Sequence, residues 1–166
     1  MATFSSRNQS TAVVPAKREA IWAVLSDPTA LAGLTPLVKK ITADGDLWCW
    51  QLGGISALGV SVSPSFTERM TFTEPERIDF EPDPPFGPDQ RAGAEGTYEL
   101  SDAPDGATKL AIDITIRAEL PLPRVARRPV EKVMASTMAK TGDRFARNLY
   151  KKLGLEAAWV PADTSD

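Results

Sequence analysis

Few residue types in this 166-residue sequence could do chemistry. The chain contains no histidine and only one cysteine, Cys49. These absences exclude catalytic triads that depend on histidine, histidine metal sites, and any disulfide or cysteine-rich zinc site within the chain. Any reaction would depend on carboxylate, lysine, tyrosine or threonine side chains or on ordered water, and the sequence predicts no metal and no cofactor.

Glu68 is the carboxylate with the most unusual position in the pattern. It falls in phase with the apolar residues Phe66, Met70 and Phe72 of a segment that alternates with a period of two. In that phase the carboxyl group would be buried, its pKa would rise, and it could orient a ligand hydroxyl or act as acid or base. The alternative, which the sequence slightly favours, is a bulge that turns Glu68 towards solvent beside Arg69.

Three hydroxyl groups are further candidates. Tyr98 could present its phenol to a pocket, or it could be a core aromatic residue with its hydroxyl at the rim. Thr137 and Thr141 lie one turn apart on the apolar face of a predicted helix, where they could hydrogen-bond a ligand or bond back to helix carbonyls. The candidates for catalysis are thus Glu68 and Tyr98, and no catalytic residue is assigned.

The elements that must position these residues follow from periodicity and capping signals. Asp27 is the predicted N-cap of a short helix with Pro28 at its first position, and Gly154 is placed to close the last helix. We predict a single domain over residues 1–154 and a loose tail over 155–166. In chain order, the predicted elements are a strand at 3–14, helices at 16–25 and 28–34, strands at 37–43, 47–52, 60–73, 77–81, 92–101 and 108–119, and a helix at 129–153.

The alternation also assigns an apolar face to the predicted sheet, including Val62 and Pro64. Most of its members are individually ordinary core residues. As a set they outnumber what one helix face can cover, which favours a cavity lined by some of them. The residues predicted to bind a ligand are Trp48, Trp50, Phe66, Glu68, Met70, Phe80, Tyr98, Ile112, Ile114, Met134, Thr137, Met138, Thr141 and Phe145.

The opening of the chain resembles a known superfamily. A Val-Pro-Ala segment at 14–16 precedes an apolar-Trp pair at 21–22, then Ser-Asp-Pro at 26–28 and a further proline, Pro36. This pattern is similar to the start of START-like, or SRPBCC, proteins, which include the birch pollen allergen, bacterial polyketide cyclases and dehydrases, and coenzyme-Q-binding proteins. The resemblance implies an α+β helix-grip fold, in which a curved antiparallel sheet of about seven strands grips a long C-terminal helix over a cavity. It does not select a function, because the fold hosts carriers, enzymes and regulators.

Three functions remain open, in order of preference. The first is binding of a small hydrophobic or amphipathic molecule (lipid, polyketide or isoprenoid-like), and the second is a reaction of the cyclase or dehydrase kind. The third is a membrane-peripheral or protein-interaction module that uses Arg124, Arg127 and Arg128, for which a solvated basic patch is the simpler explanation. The net charge of −3 argues against nucleic acid, and no apolar run is long enough to span a bilayer. Without a secretory signal, the expected location is the cytoplasm.

Overall fold

The computed structural model describes residues 1–159 of the chain. Three short 3-10 turns accompany three α-helices and nine strands within this range. The 3-10 turns span Pro104–Gly106, Arg124–Ala126 and Glu156–Ala158. In chain order, the other elements are β1 (Ala2–Val14), α1 (Arg18–Leu25), α2 (Pro28–Leu34), β2 (Val38–Asp44), β3 (Leu47–Leu52), β4 (Ile55–Ala57), β5 (Val60–Val62), β6 (Ser65–Thr73), β7 (Arg77–Pro82), β8 (Ala92–Asp102), β9 (Thr108–Leu120) and α3 (Arg127–Lys152).

Seven of the strands form one antiparallel sheet in the order β1-β9-β8-β7-β6-β3-β2. Most neighbouring strands are close in sequence, whereas β1 and β9, the first and last strands of the sheet, are far apart in sequence and pair along their full length. The two short helices follow β1, and α3 closes the fold. This architecture confirms the predicted α+β helix-grip class, including its long C-terminal helix.

The predicted strand at 60–73 is wrong as a single element. The chain leaves the main sheet after β3 and forms a separate two-stranded hairpin from β4 and β5, and the main sheet resumes at Ser65. Gly59, with φ of +78°, lies in the hairpin turn, where a side chain would be strained. Val62 therefore lies outside the apolar row of the main sheet, and Pro64 precedes β6 instead of belonging to it.

Gly96 permits a close approach of two long strands. Pairing of β8 with β7 ends at Gly96, while pairing of β8 with β9 continues to Ala92. A Cβ at position 96 would lie 1.8 Å from the backbone oxygen of Asp113, well inside contact distance. Only glycine fits at position 96. Its lack of a side chain lets β8 and β9 stay paired beyond the point where β7 ends its pairing with β8.

Helix α3 runs along the free edge of β1. Near its start, Glu131 Oε1 accepts a hydrogen bond of 3.1 Å from the backbone N–H of Ser5. Near its end, the Tyr150 hydroxyl donates to the backbone oxygen of Val13 at 3.2 Å. Both bonds use backbone groups that β9 leaves unpaired, so they fix the helix against the sheet at two widely separated points.

The ends of α3 follow simple capping rules. The helix begins at Arg127, two residues before the predicted start. Pro129 is tolerated in the first turn, because the N–H that proline lacks would have no helical partner there. After Lys152 the chain turns at Gly154, which has φ of +73°. The N–H of Leu155 then bonds to the oxygen of Tyr150 at 2.7 Å, which completes a Schellman motif.

The beginning of the predicted loose tail is packed. Leu155 and Trp159 lie against the main core, and the guanidinium of Arg147 sits 5.7 Å from the centre of the Trp159 ring. The prediction of a loose tail is therefore wrong for residues 155–159. The rest of that segment, 160–166, lies outside the described residues.

Candidate functional site

Glu68 lies inside the fold, on the face of β6 that carries Phe66 and Met70. It is 2 % exposed and pairs in register with Trp48 on β3. The solvent-facing alternative is wrong, because β6 continues without a bulge and keeps the alternation intact. Arg69 takes the opposite face and donates to Asp83 at 2.8 Å, so the nearest cation in sequence does not neutralise the carboxyl group of Glu68.

The carboxyl group of Glu68 has an unsatisfied atom. Its Oε2 has no hydrogen-bond partner among the described residues, and neither does Nε1 of the Trp50 indole. Burial raises the pKa of Glu68 from 4.5 to about 8, because a charged carboxylate is poorly solvated there. The indole N–H of Trp50 partly opposes this rise, although it is not placed to donate a full hydrogen bond to the carboxyl group. A buried donor and a buried acceptor thus lie near each other without partners.

Tyr98 is the second titratable group on this face. It lies on β8, is 7 % exposed, and packs against Phe80 with 5.1 Å between ring centres. Burial raises the pKa of its phenol, and the nearby carboxyl group of Glu68 raises it further. The phenol therefore keeps its proton at physiological pH and can act only as a neutral hydrogen-bonding group.

Aromatic rings surround these polar groups. Trp50 stacks on Phe66 with ring centres 6.3 Å apart, and Trp48 lies 5.7 Å from Phe72. Trp22 of α1 meets Phe72 edge to face at 6.2 Å. The polar atoms of Glu68 and Trp50 consequently lie in an apolar setting, where an unpaired polar group is costly.

The predicted ligand-binding residues fall into two groups by burial. The buried group surrounds Glu68 and extends to the second half of α3, and the half-buried group lies along β9 and the middle of α3. The buried residues are Trp48, Trp50, Phe66, Glu68, Met70, Phe80, Tyr98 and Phe145, and the half-buried residues are Ile112, Ile114, Met134, Thr137, Met138 and Thr141.

The middle of α3 packs less tightly than its ends. Val130 near the start is 1 % exposed and Leu149 near the end is 1 % exposed, whereas Met134 and Met138 in the middle are half-buried. The strand β9 shows the same pattern around Ile114. We refer to the region between the half-buried side chains of Ile112, Ile114, Met134 and Met138 as the cleft. The buried cluster around Glu68 lies on the same face of the sheet.

The cleft has a polar margin that the sequence did not predict. Ser6 and Asn8 of β1 pair in register with Ile116 and Ile114 of β9, so they share the face that looks towards α3. Both are half-buried. The signal in the sequence was the run of polar residues between Phe4 and Ala12, but periodicity alone predicts that such a strand is an exposed edge.

The threonines of α3 face this margin from the other side. Elsewhere, the hydroxyls of Ser26 and Thr35 donate to carbonyls four residues earlier, at 2.6 and 2.7 Å. Neither Thr137 nor Thr141 is among the described residues that make such a bond. The described residues therefore do not show the back-bonded arrangement for either threonine.

Two surface grooves lie away from this site. One, of about 630 Å³, lies between α2 and β2, and the other, of about 580 Å³, lies beside Phe86 and Arg117. Neither groove is lined by Glu68 or by any predicted ligand-binding residue. Residues 1–159 also contain no cluster of three or more carboxylate and cysteine side chains arranged to hold a metal ion.

Comparison with known families identifies the chain. The family described as polyketide cyclase / dehydrase and lipid transport matches residues 7–154. The chain belongs to this polyketide cyclase / dehydrase and lipid transport family. Its resemblance to START-like proteins is thereby confirmed, and no sequence among curated proteins matches the chain.

Several solved structures share the fold. A conserved protein from Geobacillus kaustophilus has a TM-score of 0.62 at 18% identity, covering 89% of this chain and 95% of its own. The Zhui aromatase/cyclase from Streptomyces sp. R1128 has a TM-score of 0.64 at 14% identity, covering 92% and 96%. A START superfamily protein from Mycobacterium smegmatis has a TM-score of 0.62 at 18% identity, covering 89% and 97%. These likenesses establish the fold alone. Within the described part of this family member, no helix is long and apolar enough to cross a membrane.

Proposed function

We propose that this protein binds a small hydrophobic or amphipathic molecule, such as a lipid, polyketide or isoprenoid, in the cleft between the sheet and α3. The observation that carries the proposal is the buried, unpartnered pair formed by Glu68 Oε2 and Trp50 Nε1. Leaving a buried donor or acceptor unsatisfied costs about 1–3 kcal/mol per group. A ligand oxygen near these two atoms would remove that cost, and the surrounding aromatic rings would cover the apolar remainder of the molecule.

The protonation of Glu68 limits the chemistry of the ligand. With its pKa near 8, the carboxyl group is mostly neutral at physiological pH and can both donate and accept a hydrogen bond. The indole of Trp50 can only donate. These groups suit a neutral carbonyl or hydroxyl oxygen. A cationic group would find no stable counter-charge at this depth.

The outer part of the cleft supports an amphipathic ligand. Its apolar wall comes from Ile112 and Ile114, while Asn8, Thr137 and Thr141 supply polar groups near the middle of α3. A molecule with an apolar body and a second polar group could therefore be held at both ends. The match to a family that includes lipid transport is consistent with this proposal.

The test is binding of the neutral dye Nile red, followed by displacement with farnesol, dodecanol and an anthraquinone. Ile114→Arg places a long charged side chain in the cleft and should weaken dye binding at least about tenfold, since one charge in an apolar site costs more than 1.4 kcal/mol. The matched control is Ala111→Arg on the same strand, where the side chain points to the other face and meets Glu99. Absence of micromolar dye binding, or equal affinity in the two variants, would contradict the proposal.

A second candidate is a reaction of the cyclase or dehydrase kind. The observation that favours it is the pKa of Glu68 near 8, because acid–base catalysis is most effective when the pKa of the group lies near the working pH. Glu68 would be the proton-transfer group, and Tyr98 a neutral hydrogen-bond donor to the substrate. If this is right, Glu68→Gln abolishes turnover of a poly-β-ketone substrate while dye binding persists; an unchanged rate would remove Glu68 from the mechanism.

We also propose a cytoplasmic location, which cell fractionation would test.

A further inference from the structure

The positive charge of the protein is concentrated on α3. Between Arg127 and Lys152 the helix carries eight basic and two acidic residues, a net charge of +6. The whole chain has a net charge of −3, so the remainder carries −9. All eight basic side chains on the helix are exposed.

Most of these cations share one side of the helix. With about 100° per residue, six of them fall within about half of the helix circumference, centred opposite the mean direction of Val130, Phe145 and Leu149, and Asp143 falls within the same arc. We refer to this surface as the basic face. Its members are Arg128, Lys132, Lys140, Arg144, Arg147 and Lys151.

An exposed apolar side chain stands at the start of the basic face. Val125 is 89 % exposed, more than any other large apolar side chain among the described residues. It is held outward, because its neighbour Ala126 is buried and the N–H of Ala126 bonds to the oxygen of Pro123 at 3.0 Å. Arg124 precedes Val125 directly, so apolar and basic groups protrude together.

The arginines here do not stabilise the helix. Arg124 and Arg128 form no ion pair with another described residue, and Arg127 reaches Glu131 only at 3.8 Å. All three lie near the N-terminal end of α3, where the helix dipole is positive and cations are unfavourable. The fold itself supplies little compensation for these cations, so an external anion near them would be stabilising.

We propose that the basic face, with Val125 at its tip, docks on a bilayer rich in anionic phospholipids. Basic residues gain energy near anionic headgroups, and a single apolar side chain can enter the interface between them. A protein partner fits less well, because Val125 stands among arginines without the apolar surround that the centre of a protein interface requires. The surface uses none of the residues assigned to the cleft, so this inference is independent of ligand binding.

The test is co-sedimentation of the full chain with phosphatidylcholine vesicles, with and without about 30 mol% phosphatidylserine, at low and high salt. The proposal expects binding to the anionic vesicles only, and loss of that binding at high salt. Arg124→Ser with Arg128→Ser should weaken binding about 25-fold, because each basic residue contributes roughly fivefold at such a surface. Val125→Ser should weaken it up to about tenfold through the lost apolar contact.

The matched controls are Lys17→Ser with Lys109→Ser, and Val13→Ser, which change exposed side chains outside the basic face. Val13 accepts the bond from Tyr150 through its backbone oxygen, which the substitution keeps. They should bind the anionic vesicles like the unchanged chain. Equal binding to neutral vesicles, no binding to anionic ones, or equal losses in the control and test variants would overturn the proposal. Dye binding by the same variants should stay unchanged. A loss of vesicle binding can then be distinguished from a loss of ligand binding in the cleft.

Discussion

Replacing Glu68 by glutamine should change how the stability of the protein depends on pH. In the native state the pKa of Glu68 is about 8, and its ordinary value is 4.5. Below pH 4.5 the carboxyl group is neutral in both folded and unfolded chains, so it adds no pH dependence. Between these two values the unfolded chain loses the proton while the folded chain keeps it. The unfolded state is thereby favoured, and stability falls as the pH rises.

The size of the effect follows from the pKa change. Stability should fall by about 1.4 kcal/mol for each pH unit between the two pKa values, which gives about 3 kcal/mol at pH 7 and about 5 kcal/mol above pH 8. Glutamine has a similar shape and stays neutral, so Glu68→Gln lacks this loss. The difference in unfolding free energy between variant and parent should therefore grow in favour of the variant from acid to neutral pH.

The measurement is urea unfolding of both chains at pH values from about 5 to 9, with the difference in free energy plotted against pH. Other titrating groups contribute equally to both chains and cancel in that difference. Glu74→Gln is the control, because Glu74 is exposed in the turn between β6 and β7 and its difference curve should be flat. A flat curve for Glu68→Gln, or one that falls with pH, would refute the assignment of a buried, unpaired carboxyl group.

Two glycines on opposite sides of the fold give a contrasting pair of stability predictions. Gly96→Ala should cost more than about 3 kcal/mol or prevent folding, because the new Cβ would lie 1.8 Å from a backbone oxygen and two paired strands would have to separate. Gly142→Ala should instead raise stability by about 1 kcal/mol, because that site is in a helix interior and nothing lies within 4 Å of the new Cβ. Thermal unfolding of both variants tests the pair, and equal shifts in melting temperature would contradict the reasoning.

Local patterns in the sequence predicted most of the fold. The alternation of β9 and the amphipathic pattern of α3 depend on short-range periodicity, which does not require knowledge of distant contacts. The α2 cap was equally local: Asp27 accepts from the N–H of Thr29 at 3.0 Å, as its position before Pro28 indicated. The family resemblance then supplied the global arrangement.

The errors arose where two distant segments determine the structure. The separate β4–β5 hairpin depends on where glycines release the chain from the sheet, and periodicity cannot locate a change of partner. The close approach at Gly96 depends on Asp113, which lies on another strand. For Glu68, the sequence could not tell an unbroken strand from a bulged one, and these place the side chain on opposite faces.

The candidate site was predicted less completely than the fold. Thr137 and Thr141 were proposed from their helical spacing, whereas Ser6 and Asn8 were not, because a polar strand at a sheet edge looks solvated on both faces. Their half-buried position follows from α3, which is fixed along β1 by bonds to Ser5 and Val13. No local pattern predicts which strand edge a helix more than a hundred residues away will cover.

The unpaired carboxyl group connects stability with binding. An apolar side chain at position 68 would continue the row of Phe66 and Met70 and would avoid the cost of burying an unsatisfied oxygen, so Glu68 weakens the free protein. A ligand that hydrogen-bonds to Glu68 and Trp50 removes that cost, and its binding stabilises the folded state further by mass action. Under the proposed function, the same residue lowers the stability of the fold and strengthens the binding of a ligand. The proposed function therefore predicts a preference for oxygen-bearing ligands over purely apolar ones, since an alkane would leave both polar atoms unpaired.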